Sequence, residues 1–202
     1  MFKSILVLES PWDNERVEST SVWPVVSEFS RVCGIKAYHQ VFVDAASFRH
    51  WVEVFSADKS LKSKLLYIAA HGGQGRINGL RSRINSTTIL ESLREASGIK
   101  YVHFGSCFFG NDDNLRSLMD EAPHLRWVAG YRRSVDWIES TAMDLMFWRR
   151  IAVRDDENEG MRTMKMAESL YRDMNGLVNK LEFNFFCRYG ENINKLGERL
   201  VG

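Results

Sequence analysis

Five short runs along the chain carry apolar residues with few interruptions: Ser4 to Leu8, Ala37 to Val43, Leu65 to Ala70, Tyr101 to Gly105 and Trp127 to Gly130. Runs of this length, rich in β-branched and aromatic residues, predict strands buried on both faces. Between them, Val22 to Val32, Ala46 to Phe55, Ser86 to Ala96 and Asn114 to Glu121 repeat apolar residues every three or four positions, which predicts amphipathic helices. Ser86 and Asp113 read as N-caps, and Gly34 and Gly98 as C-terminal stops. This βαβα alternation predicts an α/β fold of three layers, a mostly parallel sheet with helices on both faces.

Beyond Gly130 the pattern changes. Trp137 to Val153 reads as a long helix with Ile138, Ala142, Leu145, Met146 and Trp148 near one face. Arg154 to Gly160, with its run Asp155-Asp156-Glu157, reads as an exposed loop. Met161 to Leu181 reads as a further helix, interrupted or capped at Gly176. Phe183 to Gly190 is aromatic enough either to pack as a segment or to form an edge strand. No repeat or linker divides the chain, so residues 1 to 202 are expected to form one domain, with 151 to 202 a helical extension of it.

Composition narrows the function classes. The 202 residues hold 27 Lys+Arg against 26 Asp+Glu, so no electrostatic pull toward nucleic acid or an acidic membrane is expected. The opening run ends at Glu9 and is too short for a signal-peptide core or a membrane span. Three widely spaced cysteines, Cys33, Cys107 and Cys187, with no CxxC pair, argue against a disulfide framework and a structural zinc site. A reducing, cytoplasmic setting is expected. The glycine-rich stretch Gly72 to Gly79 has neither the spacing nor the lysine of a P-loop and reads as a turn followed by a small hairpin.

The candidate chemistry lies at two strand ends. Leu65 to Ala70 runs into His71-Gly72-Gly73, and Tyr101 to Phe104 runs into Gly105-Ser106-Cys107. In open α/β sheets functional groups gather at the carboxyl ends of strands. An imidazole and a thiol delivered to one edge provide what a cysteine nucleophile with a histidine base requires. His103 is on the strand of Cys107 but four residues earlier, about 13 Å away along an extended chain, a poor partner for the thiol. His39, His50 and His124 carry no motif, and Cys33 and Cys187 read as packing residues.

An apolar strand ending in His-Gly, followed by a strand ending in small-residue-x-Cys, resembles the caspase-like cysteine peptidases. That group includes caspases, metacaspases, separase, clostripain and, closest in style, the bacterial CHAT proteases. His71-Gly72 and Gly105-Ser106-Cys107 match the two motifs. Val128-Ala129-Gly130-Tyr131-Arg132, followed by a helix with Ala142 and Phe147, looks like the strand and helix after the nucleophile. The resemblance spans roughly residues 1 to 150. It implies a cysteine endopeptidase with Cys107 as nucleophile, His71 as its partner, and the amides of Gly72 and Cys107 as an oxyanion hole. It implies no cofactor or metal, a protein or peptide substrate, and regulation by a partner protein.

Two departures bear on specificity. The caspase pentapeptide around the cysteine is absent, and the two residues are 36 apart (107 − 71) instead of about 50. Asp13 and Asp136 could line a substrate pocket. In separase-like members an acidic residue near the position of Asp136 selects a basic P1 side chain, although Asp136 also suits a helix N-cap. Arg132 and Arg133 suggest the opposite, an acidic P1. A glutaminase-like amidohydrolase is the alternative enzyme, disfavoured because its histidine follows the cysteine. A catalytically silent caspase-like binding module is the alternative without chemistry.

Overall fold

The computed structural model describes residues 2–11, 20–152 and 159–196. Asp13 and most of the expected loop at 154–160 lie outside the described residues. Seven strands form the main sheet: β1 (Ser4–Glu9), β2 (Lys36–Val41), β3 (Lys64–Ala69), β7 (Ile99–Phe104), β8 (Trp127–Tyr131), β9 (Phe183–Tyr189) and β10 (Asn192–Lys195). Their order is β10-β9-β8-β7-β3-β1-β2. The five strands β1, β2, β3, β7 and β8 run parallel to one another, while β9 is antiparallel to both β8 and β10. A smaller antiparallel sheet of β4 (Gly72–Gly73), β5 (Arg76–Asn78) and β6 (Arg83–Asn85) follows β3.

Side chains alternate along each central strand between two cores. One contains Leu6, Leu66, Ile68, Val102 and Phe104 and packs against α2 (Ala45–Ala57), α3 (Ser86–Glu95) and α4 (Asp112–Glu121). The other contains Ile5, Val7, Tyr67, Tyr101 and Trp127. It packs against α1 (Trp23–Cys33), α5 (Trp137–Ala152), α6 (Glu159–Asp173) and α7 (Asn175–Leu181). The expected three-layer α/β arrangement is the observed one.

The helix ends follow from local chemistry. Pro24 opens α1, and Gly34 closes it at φ 66°, the left-handed cap glycine accommodates without strain. Asp44 and Ser47 form a reciprocal capping box at α2. Two expected caps move by one or two residues: Asn85, not Ser86, caps α3, and Asn111, not Asp113, caps α4. Each asparagine accepts the amide three residues on, while the expected residues fall inside the first turn. Gly98 does not end α3, which stops at Glu95; it is needed because a side chain there would meet the Ser56 carbonyl oxygen at 2.1 Å.

The C-terminal part differs more from the sequence reading. The long helix from Met161 divides at Met174, not at Gly176, which lies in the first turn of α7. Phe183 to Tyr189 is an inner strand, paired on both sides. On α5 the buried face is Met143, Asp144, Phe147, Trp148 and Ile151, whereas Ile138 and Met146 are exposed. The expected apolar stripe was rotated because Asp144, a residue that patterning assigns to solvent, is in the middle of the buried one.

Candidate functional site

Three neighbouring parallel strands deliver the site. β3 ends two residues before His71, β7 ends three before Cys107, and β8 ends at Tyr131, four before Val135. Ile68 is paired with Phe104 and His103 with Ala129, so the three exits leave the sheet side by side. The juxtaposition expected of His71 and Cys107 is therefore set by strand register.

The contact between the two segments is made by backbone. A side-chain carbon on Gly72 would lie 2.1 Å from the carbonyl oxygen of Cys107 and 2.9 Å from its amide nitrogen. Only glycine permits that approach. The corner is held from behind, because the Asn78 amide donates to the His71 carbonyl at 2.8 Å. His71 is exposed and Cys107 half-buried.

The thiol is framed by the connection from β8 to α5. The Val135 amide donates to Cys107 Sγ at 3.4 Å, and Ser134 Oγ and the Val135 carbonyl oxygen each lie 3.9 Å from the sulfur. The turn after the cysteine is tight: the Phe109 amide donates to the Cys107 carbonyl at 2.8 Å. Phe108 is forced to φ 62°, a left-handed conformation that costs a residue with a Cβ about 1–3 kcal/mol. Its amide donates to the Arg133 carbonyl at 3.1 Å, and the Gly110 amide to that of Tyr131 at 2.9 Å. The β8 end thus clamps both the sulfur and the turn behind it.

Asp136 caps α5, with Oδ1 accepting the amides of Ile138 at 2.9 Å and Glu139 at 3.0 Å. Being next to Val135, it also stands at the site. Arg132 reaches Asp112 at 3.9 Å and Arg133 reaches Glu182 at 4.0 Å; both are long, exposed pairs of the kind that contribute little. Among the described residues no group of three or more His, Cys, Asp or Glu could hold a metal ion. No helix there is long and apolar enough to cross a membrane.

Beneath the site is a polar cluster that the sequence reading missed. Asp144 of α5 is 1 % exposed in the second core. Its Oδ2 accepts the Tyr67 hydroxyl at 2.6 Å, and its Oδ1 accepts a short bond from the Tyr131 hydroxyl. His103 Nε2 lies 2.9 Å from Oδ1, off the axis of its N–H. The other ring nitrogen, Nδ1, accepts the Trp148 indole N–H at 2.9 Å. Burial, reinforced by the Asp144 carboxylate, holds both phenols protonated well above the usual tyrosine range. The position of Asp144 three and four residues before the buried Phe147 and Trp148 was the available signal. His103 is fully buried in this cluster, in keeping with its exclusion as the thiol's partner.

No family model matches the chain, and no curated protein matches it. Solved structures do resemble it. A secreted C11 cysteine protease from Bacteroides thetaiotaomicron, in complex with an irreversible peptide inhibitor, superposes with a TM-score of 0.54 at 10 % identity, over 93 % of this chain and 66 % of that one. A structure of such an enzyme under the name iotapain gives 0.57 over the same shares, also at 10 % identity. Caspase-1 from Spodoptera frugiperda gives 0.52 at 9 % identity, over 83 % of this chain and 77 % of that one. The chain therefore has the caspase-like α/β fold, and it spans 66 % of the length of the C11 proteases it resembles.

Proposed function

We propose that the protein is a cysteine endopeptidase in which Cys107 is the nucleophile and His71 its acid–base partner. The observation that carries this reading is the backbone contact between Gly72 and Cys107, with 2.1 Å left for any side-chain carbon. It supports the reading because Gly72 directly follows His71, and a histidine and a cysteine at one carboxyl edge of a sheet suit this chemistry.

The chemistry follows from what each group can do. The Cys107 thiolate attacks the scissile carbonyl carbon, and the carbonyl electrons move to oxygen. The amides of Gly72 and Cys107 stabilise that oxyanion, where loss of one donor costs about 3 kcal/mol. As the tetrahedral intermediate collapses, the His71 imidazolium gives its proton to the departing amine and a thioester remains on Cys107. Water then attacks the thioester with His71 taking its proton, and the carboxylic acid and free thiolate are released. The Val135 amide donates to the sulfur in the resting site, a bond a thiolate accepts better than a thiol.

For specificity, Asp136 binds a basic P1 side chain through Oδ2, which makes none of the helix-capping bonds. Arg132 and Arg133, exposed on the same connection, would favour an acidic P1 side chain instead. Control by a partner protein belongs to this reading through the resemblance to CHAT proteases alone, and full unassisted turnover of short peptides would remove it. The reading is tested by profiling a peptide library with the purified protein. Cleavage is expected to fall by at least about 10³-fold in Cys107→Ala and in His71→Ala; equal cleavage by either variant overturns it.

A further inference from the structure

The three groups gathered at Asp144, the bonded Tyr67 and Tyr131 hydroxyls and the His103 ring 2.9 Å from Oδ1, are spaced in a way the peptidase chemistry does not itself require. Tyr67 is four residues before His71 (71 − 67), His103 four before Cys107 (107 − 103), and Tyr131 four before Val135 (135 − 131). They are on β3, β7 and β8, the three strands whose ends carry the imidazole, the thiol and the amide that faces the sulfur. One buried carboxylate thus bonds β3 and β8 and lies against the β7 imidazole, at an equal chain distance from the three functional ends.

The cluster also touches the nucleophile's own turn. A side-chain carbon on Gly105 would lie 2.4 Å from the Tyr67 hydroxyl oxygen, so the exit of β7 rests on that hydroxyl. Tyr131 contributes its carbonyl to the Gly110 amide, and its hydroxyl lies 3.0 Å from the Ser140 carbonyl oxygen as well as against Asp144. The connection from Tyr131 to Asp136, which contains Ser134 and Val135, is therefore anchored at both ends. Tyr131 is bonded to α5 at one end and Asp136 caps it at the other. A buried carboxylate is a costly way to fill a core, and apolar packing of equal volume is often at least as stable. What the carboxylate adds is direction, because its two oxygens accept from fixed positions.

We propose that Asp144 is a positioning residue for the nucleophile, setting the relative placement of the β3, β7 and β8 ends and with it the Val135 amide at Cys107 Sγ. This rests on the peptidase reading for its meaning and its kcat, whereas the alkylation rate at Cys107 is measured without it. Misplacement of reacting groups by about 1 Å can cost on the order of 100-fold in rate. Loss of the network is therefore read in reactivity and kcat instead of substrate binding.

The experiment compares wild type with Asp144→Asn, Tyr67→Phe and Tyr131→Phe. The rate of iodoacetamide modification is measured at Cys107 and Cys187 separately by mass spectrometry, together with kcat and KM on a cleaved peptide. Cys187 is 1 % exposed, so its protection reports an intact core. With Cys187 still protected, Asp144→Asn is expected to slow Cys107 modification and lower kcat, each by at least about tenfold, with KM within about twofold. If Asp144→Asn exposes Cys187, the two phenylalanine variants decide, each expected to lower both rates by about threefold or more. Cys107 rates and kcat within twofold of wild type in variants that keep Cys187 protected overturn the proposal. If wild-type Cys107 is alkylated selectively but cleaves no peptide, the peptidase reading fails while the positioning result still stands.

Discussion

The backbone amide of Val135 donates to the sulfur of Cys107 across 3.4 Å, from a strand connection 28 residues further along the chain. The surroundings of this sulfur are set by where neighbouring main chain runs as much as by side chains. The same connection supplies the Arg133 carbonyl that holds the Phe108 amide. The sulfur and the turn behind it are consequently fixed by β8 and not by β7 alone.

The Gly72–Cys107 contact makes a sharp steric prediction. Gly72→Ala places a methyl group into the Cys107 carbonyl and is expected to lower kcat by at least about 100-fold. Gly73→Ala is the control, since its added carbon meets only the Arg76 side chain, at 3.4 Å and beyond. It is expected to stay within about threefold of wild type. Steady-state kinetics on both variants, with circular dichroism to check folding, decide the matter; comparable losses in the two would remove the special role of position 72.

Asp136 is asked to do two things, and one substitution separates them. Asparagine caps helices about as well as aspartate, so Asp136→Asn is expected to melt close to wild type, whereas Asp136→Ala loses about 1 kcal/mol. Without its carboxylate, Asp136→Asn is expected to lose at least about tenfold in kcat/KM on peptides with Arg or Lys at P1, and little on others. An unchanged P1 profile would leave Asp136 as a cap only.

The buried phenols make stability depend on alkali. Tyr67 and Tyr131 are raised above their ordinary value of 10.0 by burial and then by Asp144. Ionisation is thus easier in the unfolded chain. Their contribution is complete below pH 10 and is lost as the pH rises from there toward the folded-state values. Denaturant unfolding from neutral pH to about pH 11 should show this decline, and Tyr67→Phe/Tyr131→Phe should flatten it. A double variant with the same alkaline slope as wild type would contradict the assignment.

The aromatic layer around α5 carries much of the second core. Phe147 is fully buried and packs edge-on against Trp127, Phe183 and Phe185 at 5.5, 5.0 and 5.2 Å between ring centres. Phe147→Ala is expected to cost about 3–5 kcal/mol in chemical denaturation. A loss below 1 kcal/mol would mean that the cavity collapses.

Much of this was legible in the sequence because it depends on local pattern. The five parallel strands, five of the helices and the placement of His71 and Cys107 at neighbouring strand ends all follow from apolar runs and glycines. What was not legible depends on partners distant in the chain. Asp144 reads as a solvent residue until the Tyr67 and Tyr131 hydroxyls arrive from two strands to bond it, with the His103 ring packed beside them. Phe183 to Tyr189 reads ambiguously because a strand buried between two others has the same composition as a packed aromatic segment. Val135 acts through its amide, which has no side-chain signature. The caps at Asn85 and Asn111 lost to nearby Ser86 and Asp113 in the reading because all four residue types favour the same position.

The pairing of Cys107 with His71 is tested most directly by an acyloxymethyl-ketone peptide probe followed by mass spectrometry of all three cysteines. We predict labelling at Cys107, none at Cys33 or Cys187, and a fall of at least about 100-fold in the rate of Cys107 labelling in His71→Ala. Labelling of Cys33 as fast as Cys107, or a His71→Ala variant labelled at the wild-type rate, would contradict it.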